Sequence, residues 1–585
     1  MTRSSEFHTD VVIVGTGPTG SAAALALSTY GVKVYMVTRH GWVSNTPRAH
    51  ITNQRTMEVL RDLDVSKEVT LYGSSWELMG DTLFTTSLAS EELLRINAWG
   101  TGDDRHGAYV AASPEGMLDV TQPEMESVLL KNAAERGANL AFQTEYLSHI
   151  QDDDGVTVSF RNRISGHEYD VRARYLIGAD GARSRVADDA GLPLVGDEAR
   201  ATTAYVQFNA DLSHLVAHRP SILYWIASPS AQFGEIGMGL LRTVRPWTEW
   251  IAGWGHDPEA GPPDFSEESL LKRIHSMIGD SSVEVQVTAT STWLVNQAFA
   301  EVYSVGRVFC GGDAVHRHPP SGGLGSNTSI QDAFNLAWKL AYVINGHAHP
   351  SLLETYSDER APIGRQIVDR ANKSRREFAE LNASFRSITP SEWPDGLLAK
   401  LGDPSPASAE LRDALMKGLA IKNYEFNAHG VEMNQRYESG CVIQDAAERE
   451  IWPHDAELHY QPSTRPGAKL PHAWLVNQYG RRISTLDVVG RGKTTLITGI
   501  SGRAWVEAVK RMDLPWLDSV TVGDLATRDL YRSWALVREV DEAGALLVRP
   551  DGYIAWRHAE AEWSEDDAEH KLRLCVDKLM AWSAK

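Results

Sequence analysis

The residues best suited to chemistry lie between Phe309 and Leu340, in the run FCGGDAVHRHPPSGGLGSNTSIQDAFNLAWKL. A carboxylate, Asp313, and two imidazoles, His316 and His318, stand there among Gly311, Gly312, Gly322, Gly323 and Gly325. Asp313 can accept hydrogen bonds from ligand hydroxyls. The glycines let backbone approach a flat ligand with no side chain between. Amides at a helix start are unpaired and carry partial positive charge, so they can hold an anion or stabilise charge developing on a ring. A metal centre of Asp313, His316 and His318 is a competing arrangement. It lacks an evident further ligand and supporting shell, so no metal is expected. Taken alone, an ordinary glycine-rich strand-to-helix loop also accounts for this run.

The elements that must position these groups are legible around them. An apolar strand ends at Val308-Phe309-Cys310, and helical periodicity resumes near Asn327 with Ile330, Phe334, Leu336, Ala337 and Leu340 on one side. At the N-terminus, Asp10–Val14 reads as a buried parallel strand, followed by Gly15-Thr16-Gly17-Pro18-Thr19-Gly20 and an Ala/Leu-rich helix capped by Gly31. Gly15, Gly17 and Gly20 allow a tight turn, the approach of a pyrophosphate and close helix-to-strand packing. The carboxylate expected after the second strand, Val32 to Val37, is replaced by Thr38 and Arg39, a weaker pair for a ribose hydroxyl. A third strand-to-turn unit, Tyr175-Leu176-Ile177-Gly178-Ala179-Asp180-Gly181, follows far downstream.

These three motifs, in this order, resemble the FAD-dependent flavoprotein monooxygenases of the aromatic hydroxylase class, the single-component phenol hydroxylases. Pro47-Arg48-Ala49-His50-Ile51-Thr52-Asn53-Gln54-Arg55-Thr56-Met57-Glu58 and Thr464-Arg465-Pro466-Gly467-Ala468 are similar to the dichlorophenol and hydroxybiphenyl monooxygenase branch, and the likeness covers nearly the whole chain. The resemblance implies an α/β FAD-binding domain of the glutathione-reductase-like Rossmann type, an inserted β-sheet substrate domain and a C-terminal thioredoxin-like domain. Composition shifts place these at 1–200 with 290–400, at 201–289 and at 456–585, with a helical linker over 401–455 after the Gly402-Asp403-Pro404-Ser405-Pro406 break.

The resemblance also implies roles. Arg48 contacts the FAD and His50 faces the bound phenol, from a loop at the carboxyl ends of the strands. Gln122 lies against the flavin and Asp119 near the phenol pocket, at a helix start where Thr121 and Glu124 form a capping-box pattern. Asp180 serves the FAD pyrophosphate; because like charges repel, it acts through backbone or water. Asp313 bonds the ribityl chain, Pro320 packs on flavin and substrate, and Gly322 to Asn327, including Gly323 and Gly325, present amides to the ring. Arg242 reaches a mobile flavin or the nicotinamide. Trp225, Trp247, Trp250, Trp254 and Trp293 lie in the β-rich stretch, and such side chains suit the wall of an aromatic pocket. Trp225 and Trp293 are the candidates, although sheet core explains most of the five. Leu71 to Trp99 reads as mixed surface structure near the substrate.

The implied reaction is hydroxylation of a phenolic or hydroxypyridine-like ring with NAD(P)H and O2, ortho to the hydroxyl, through an oxygen adduct at flavin C4a. His50, with Asp119, is the expected base, since an imidazole titrates at about 6.5. Ile222 stands where the hydroxybiphenyl branch can carry an aspartate, so proton handling falls to His50. A flavoprotein oxidase or reductase, a nicotinamide dehydrogenase and a non-catalytic flavin-binding protein are the alternatives.

Across 585 residues the net charge is −20, which argues against nucleic acid or an anionic membrane as partner. Three dispersed cysteines, no apolar leader and no spanning run suggest a cytoplasmic protein, and the resemblance implies a homodimer or higher homo-oligomer. Gly490-Arg491-Gly492-Lys493-Thr494 mimics the tail of a phosphate loop, but Asp487 stands where the first glycine belongs.

Overall fold

The computed structural model describes residues 8–227, 236–257, 259, 261–386, 395–446 and 450–582. Its first sheet is built on four parallel strands in the order Val308–Cys310, Glu168–Gly178, Thr9–Val14 and Val34–Val37, with Asn139–Ala141 beyond. Val11, Val12 and Ile13 are fully buried, as are Leu176 and Val308, because helices cover the sheet. Register decides the site. Val14 stands opposite Gly178, and Gly178 opposite Cys310, so three bends remote in sequence leave the same sheet edge side by side.

Helix Pro18–Thr29 packs between helices Gly325–Ile344 and Gln122–Glu135. The 20-residue Gly325–Ile344 helix is buried from Asn327 to Tyr342, more completely than the one-sided face its periodicity suggests. Thr121 does not form the expected capping box: its hydroxyl donates to the Glu124 carboxylate (2.9 Å), and Glu124 pairs with Arg245.

The second sheet has eight strands, in the order His316–Arg317, Gln286–Ala300, Leu194–Asn209, Glu249–His256, Gly239–Arg245, Leu223–Ile226, Asp81–Thr85 and Glu92–Asn97. It therefore reaches beyond 201–289 at both ends. It also recruits a hairpin from the 71–99 stretch that local pattern left as mixed surface structure. Leu223–Ile226 runs parallel to Asp81–Thr85, a pairing across some 140 residues that no local period reveals.

Residues 401–455 do more than link. The Pro404–Pro406 break is a helix junction, with Ser405 capping helix Pro406–Ile421. Leu415, Leu419 and Phe426 from this stretch share one apolar cluster with Trp225 of the second sheet and with Trp99 and Ile222 at the ends of its strands. Near the C-terminus, strands Leu517–Val522, Thr494–Gly499, Ala545–Val548 and Ile554–His558 form a sheet, the first pair parallel and the rest antiparallel. Helices Arg503–Met512 and Glu565–Leu579 cover it, and Trp505, Leu572 and Leu579 pack in one cluster with Trp338 and Tyr342 of the long buried helix. Among the described residues no helix is long and apolar enough to cross a membrane.

Candidate active site

The three bends open onto a cavity of about 440 Å³ between the two sheets, within the range of small-molecule sites. Gly17, Arg48, His50, Gln122, Asp313, Pro320, Gly323 and Gly325 line it from the first sheet's side, and Trp225 and Arg242 from the second. Trp293 lies in strand Gln286–Ala300, opposite Thr203, but its side chain is outside the described residues.

The glycines divide by use. A Cβ on Gly20 would lie 2.0 Å from the Gly15 carbonyl oxygen, and one on Gly15 would lie 2.1 Å from the Ala179 oxygen. Those two glycines serve packing. Gly17 has an ordinary φ of −65°, and its nearest neighbour would be Glu126 Oε1 at 4.0 Å, so its bare face is open. Gly323, at φ +64°, ends the turn before the long helix, and a side chain there would strike Ile51.

Some expected cofactor ligands act one step back. Asp180 is turned into its own chain, accepting from the Ser184 hydroxyl and from the amides of Arg185 (2.8 Å) and Val186 (3.2 Å). Burial raises its pKa and those donors oppose the rise. Asn327 is 2 % exposed; its carboxamide accepts from the Asn53 amide and donates to the Ile51 and Gly323 carbonyls. It ties the 311–325 turn to the His50 loop. Thr38 is buried and accepts from the His40 amide, while Arg39 is exposed beside His40; neither lines the cavity.

At the cavity wall, His50 Nδ1 lies 2.9 Å from Asp119 Oδ1. A backbone bridge between Ile51 and Asp119 sets that pair. Burial and the Arg242 guanidinium lower the His50 pKa, and Asp119 pulls it back up. Arg242 is buried; its Nη1 donates to the Arg48 carbonyl (2.9 Å), while Nη2 and Asp119 Oδ2 find no hydrogen-bond partner among the described residues. Desolvation pulls the guanidinium down to about 10. Tyr205 also lines the cavity, and burial raises its pKa against the pull of Arg242 and Arg48. Sequence reasoning missed it, although Thr203, Tyr205 and Gln207 alternate onto one strand face. Its ring lies across Gly253 of the neighbouring strand, where a Cβ would come within 2.9 Å.

His316 is engaged within the protein. Its Nε2 meets Asp332 (2.8 Å), which also binds Arg360, and all three side chains are fully buried. His318 lines the cavity with its Nδ1 on the Pro319 carbonyl (2.7 Å), and burial lowers its pKa to about 4. Among the described residues no group of three metal-ligating side chains occurs.

This arrangement suits a flavin dinucleotide. An open glycine at a helix start fits a diphosphate, Asp313 fits a polyol, and the unpartnered Arg242 Nη2 at the cavity fits a polar group of a flat ring or its substrate. A largely parallel sheet with a second sheet laid over such a cavity is an arrangement suited to a flavin-dependent protein.

The chain belongs to the FAD-dependent aromatic-ring hydroxylases: residues 8–371 match the FAD binding domain family and residues 463–579 the aromatic-ring hydroxylase C-terminal family. It is 46% identical to 2,4-dichlorophenol 6-monooxygenase of Delftia acidovorans, over 99% of both chains. It is 45% identical to phenol 2-monooxygenase of Pseudomonas sp. strain EST1001, over 94% of this chain and 90% of that one. Among solved structures, the flavin-dependent monooxygenase PieE in complex with FAD and substrate superposes with a TM-score of 0.93 at 41% identity, covering 98% of this chain and 99% of that chain. The protein is a flavoprotein monooxygenase that hydroxylates aromatic rings, and FAD is its cofactor.

Proposed function

We propose that the enzyme uses NAD(P)H and O2 to hydroxylate a phenol ortho to its hydroxyl group, with His50 as the base that takes the phenolic proton. The observation that carries this is the His50–Asp119 contact at the cavity wall. Asp119 accepts from Nδ1–H and so keeps Nε2 as the unprotonated nitrogen, free to accept a proton from a ligand. Burial and Arg242 favour the neutral imidazole a base requires. Arg242, with an unpartnered Nη2, supports negative charge on the phenolic oxygen as the proton leaves. Loss of that proton makes the ortho carbon nucleophilic. FAD, when bound, would supply the activated oxygen that this carbon takes up. Trp225, Met238, Leu240 and Phe426 give the substrate end an apolar wall that excludes water.

The substrate is a simple or halogenated phenol, or an aromatic intermediate of natural-product assembly. The chlorophenol named for the Delftia relative supports the first, and the isoleucine at position 222 supplies no acid there to serve as a second base. The strand–helix–strand–helix–strand–strand–helix order over 494–579 supports a thioredoxin-like reading of the C-terminal unit. Leu530, Tyr531 and Leu536, all more than half exposed there, support a homo-oligomeric contact, which light scattering tests.

His50→Ala is expected to retain FAD and NAD(P)H oxidation while hydroxylated product falls by about 10²–10⁴-fold, the usual worth of a general base. Product assay beside the flavin spectrum checks this, and an unchanged hydroxylation rate removes His50 from the mechanism.

A further inference from the structure

Helix Gln122–Glu135 carries one buried carboxylate that the chemistry above does not use. Glu126 is 1 % exposed. Its Oε2 accepts from the Ser44 amide (2.8 Å) and its Oε1 from the Gln122 carboxamide (2.6 Å). It therefore ties together the loop that leads to Arg48 and His50 and a residue that lines the cavity. Its Oε1 is also the nearest atom to the bare face of Gly17, 4.0 Å from where a Cβ would stand.

That position is electrostatically awkward. The middle glycine of such a turn is where a dinucleotide's diphosphate meets the backbone at a helix start. Like charges at short range in a desolvated site disfavour double ionisation. Among the described residues no cation is ion-paired with this carboxylate. Helix Pro18–Thr29 has no charged residue. On the helix that carries Glu126, Glu124 is engaged by Thr121 and Arg245, and Lys131 by Glu68. On the loop of Ser44, Arg39 bonds His40, and Arg48 is exposed at the cavity without an ion pair to Glu126 among the described residues. Asp180, the other buried carboxylate at these bends, is already satisfied by Ser184 and two amides. Burial alone lifts Glu126 to about 7, with the Ser44 and Gln122 donors opposing the rise.

We propose that FAD binding places one proton from solvent on Glu126, so that the carboxyl beside the cofactor diphosphate is neutral in the holoenzyme and flavin affinity falls as pH rises. A neutral carboxyl still accepts through its carbonyl oxygen and gains an O–H donor in place of a repelling charge. The sign follows from linkage. A group that holds its proton more tightly in the bound state gives full affinity below its free-chain pKa. Above that value affinity falls by up to about tenfold per pH unit, until the bound-state pKa is passed.

The test is dilution of purified holoenzyme at constant ionic strength between about pH 6 and pH 9, reading released flavin by fluorescence, in the natural protein and in Glu126→Gln. The natural protein is expected to show a Kd nearly flat at the acid end and rising toward about tenfold per unit above pH 7. Glu126→Gln is expected to stay within about threefold of the acid-end value throughout, since its carboxamide is always neutral. Calorimetric titration of FAD into the stripped chain near pH 8, in two buffers of different ionisation enthalpy, is expected to show proton uptake that the Gln variant lacks. That proton count on the natural protein stands even if the variant fails to fold. Absence of uptake, an equal pH slope in the variant, or a variant that binds FAD more than about tenfold more weakly at pH 6 overturns the proposal; the last would mean that the ionised carboxylate itself holds the ligand.

Discussion

Asp119 and Arg242 pull the His50 imidazole in opposite directions, and burial adds to the arginine's side. A base works unprotonated, so activity rises as pH passes its pKa, and a depressed value places that limb below the ordinary imidazole range. Asp119→Asn removes an influence that raises the His50 pKa and is expected to move the acid limb of kcat/KM to lower pH. Arg242→Gln removes one that lowers it and is expected to move the limb the other way. Both profiles, taken with FAD saturating, check the assignment. The sequence already pointed to His50 and Asp119 through the family pattern around each. It could not bring them together, because they stand 69 residues apart and meet through backbone pairing of the two segments, Ile51 with Asp119 and the Val120 amide on the His50 carbonyl.

Turns and strands explain which motifs meant what they resembled. Gly15, Gly17 and Gly20 look equivalent in the sequence, yet only Gly17 faces open space. Gly17→Val is expected to leave the melting temperature of the FAD-free chain within about 1–2 °C and to abolish the flavin absorbance of the purified protein. Gly20→Ala is expected to destabilise the FAD-free chain itself by about 1–3 kcal/mol or more, because its methyl meets a backbone oxygen that cannot yield. Thermal melts with and without FAD separate the two. The Gly490–Gly492 run, rejected as a phosphate loop, does bind an anion, but one of its own chain. With φ of 78°, 53° and 77° in succession, it aims the Arg491 amide at Asp62 Oδ1 (2.8 Å), whose carboxyl burial pushes up to about 7. Tyr205 escaped notice for the opposite reason: its glycine partner, Gly253, lies on another strand and marks it only after pairing.

Over the whole molecule, buried charge joins the C-terminal unit to the flavin-binding one. Arg549 binds Glu359 and Asp551, Lys339 binds the same Glu359 (2.8 Å), and Arg61 grips Asp487 with two nitrogens (2.6 and 2.9 Å). Removing one partner of a fully buried pair strands the other, at a cost of about 3–5 kcal/mol. Arg549→Met is therefore expected to lower the melting temperature of the holoenzyme by several degrees, and limited proteolysis should begin in the C-terminal unit. A variant as stable as the parent would show that the junction rests on the apolar contacts of Trp338 and Tyr342 alone.

Local order sufficed for much of this protein. Strand, glycine turn and helix follow one another within ten to fifteen residues, and backbone sterics and periodicity act at that range. So the three bends, the nucleotide-binding unit and the residue types fit for a flavin could be read directly along the chain. Pairing decided the rest. The hairpin Asp81–Asn97 entered the second sheet, Glu425 and Phe426 came to line the cavity, and Glu126 came to border Gly17, all through contacts between distant segments. Burial then gave individual side chains their character: a carboxyl lifted to about 7, an arginine lowered to about 10, an imidazole pulled below its ordinary pKa. Desolvation depends on what surrounds a group in three dimensions, and no residue carries that information in its own name.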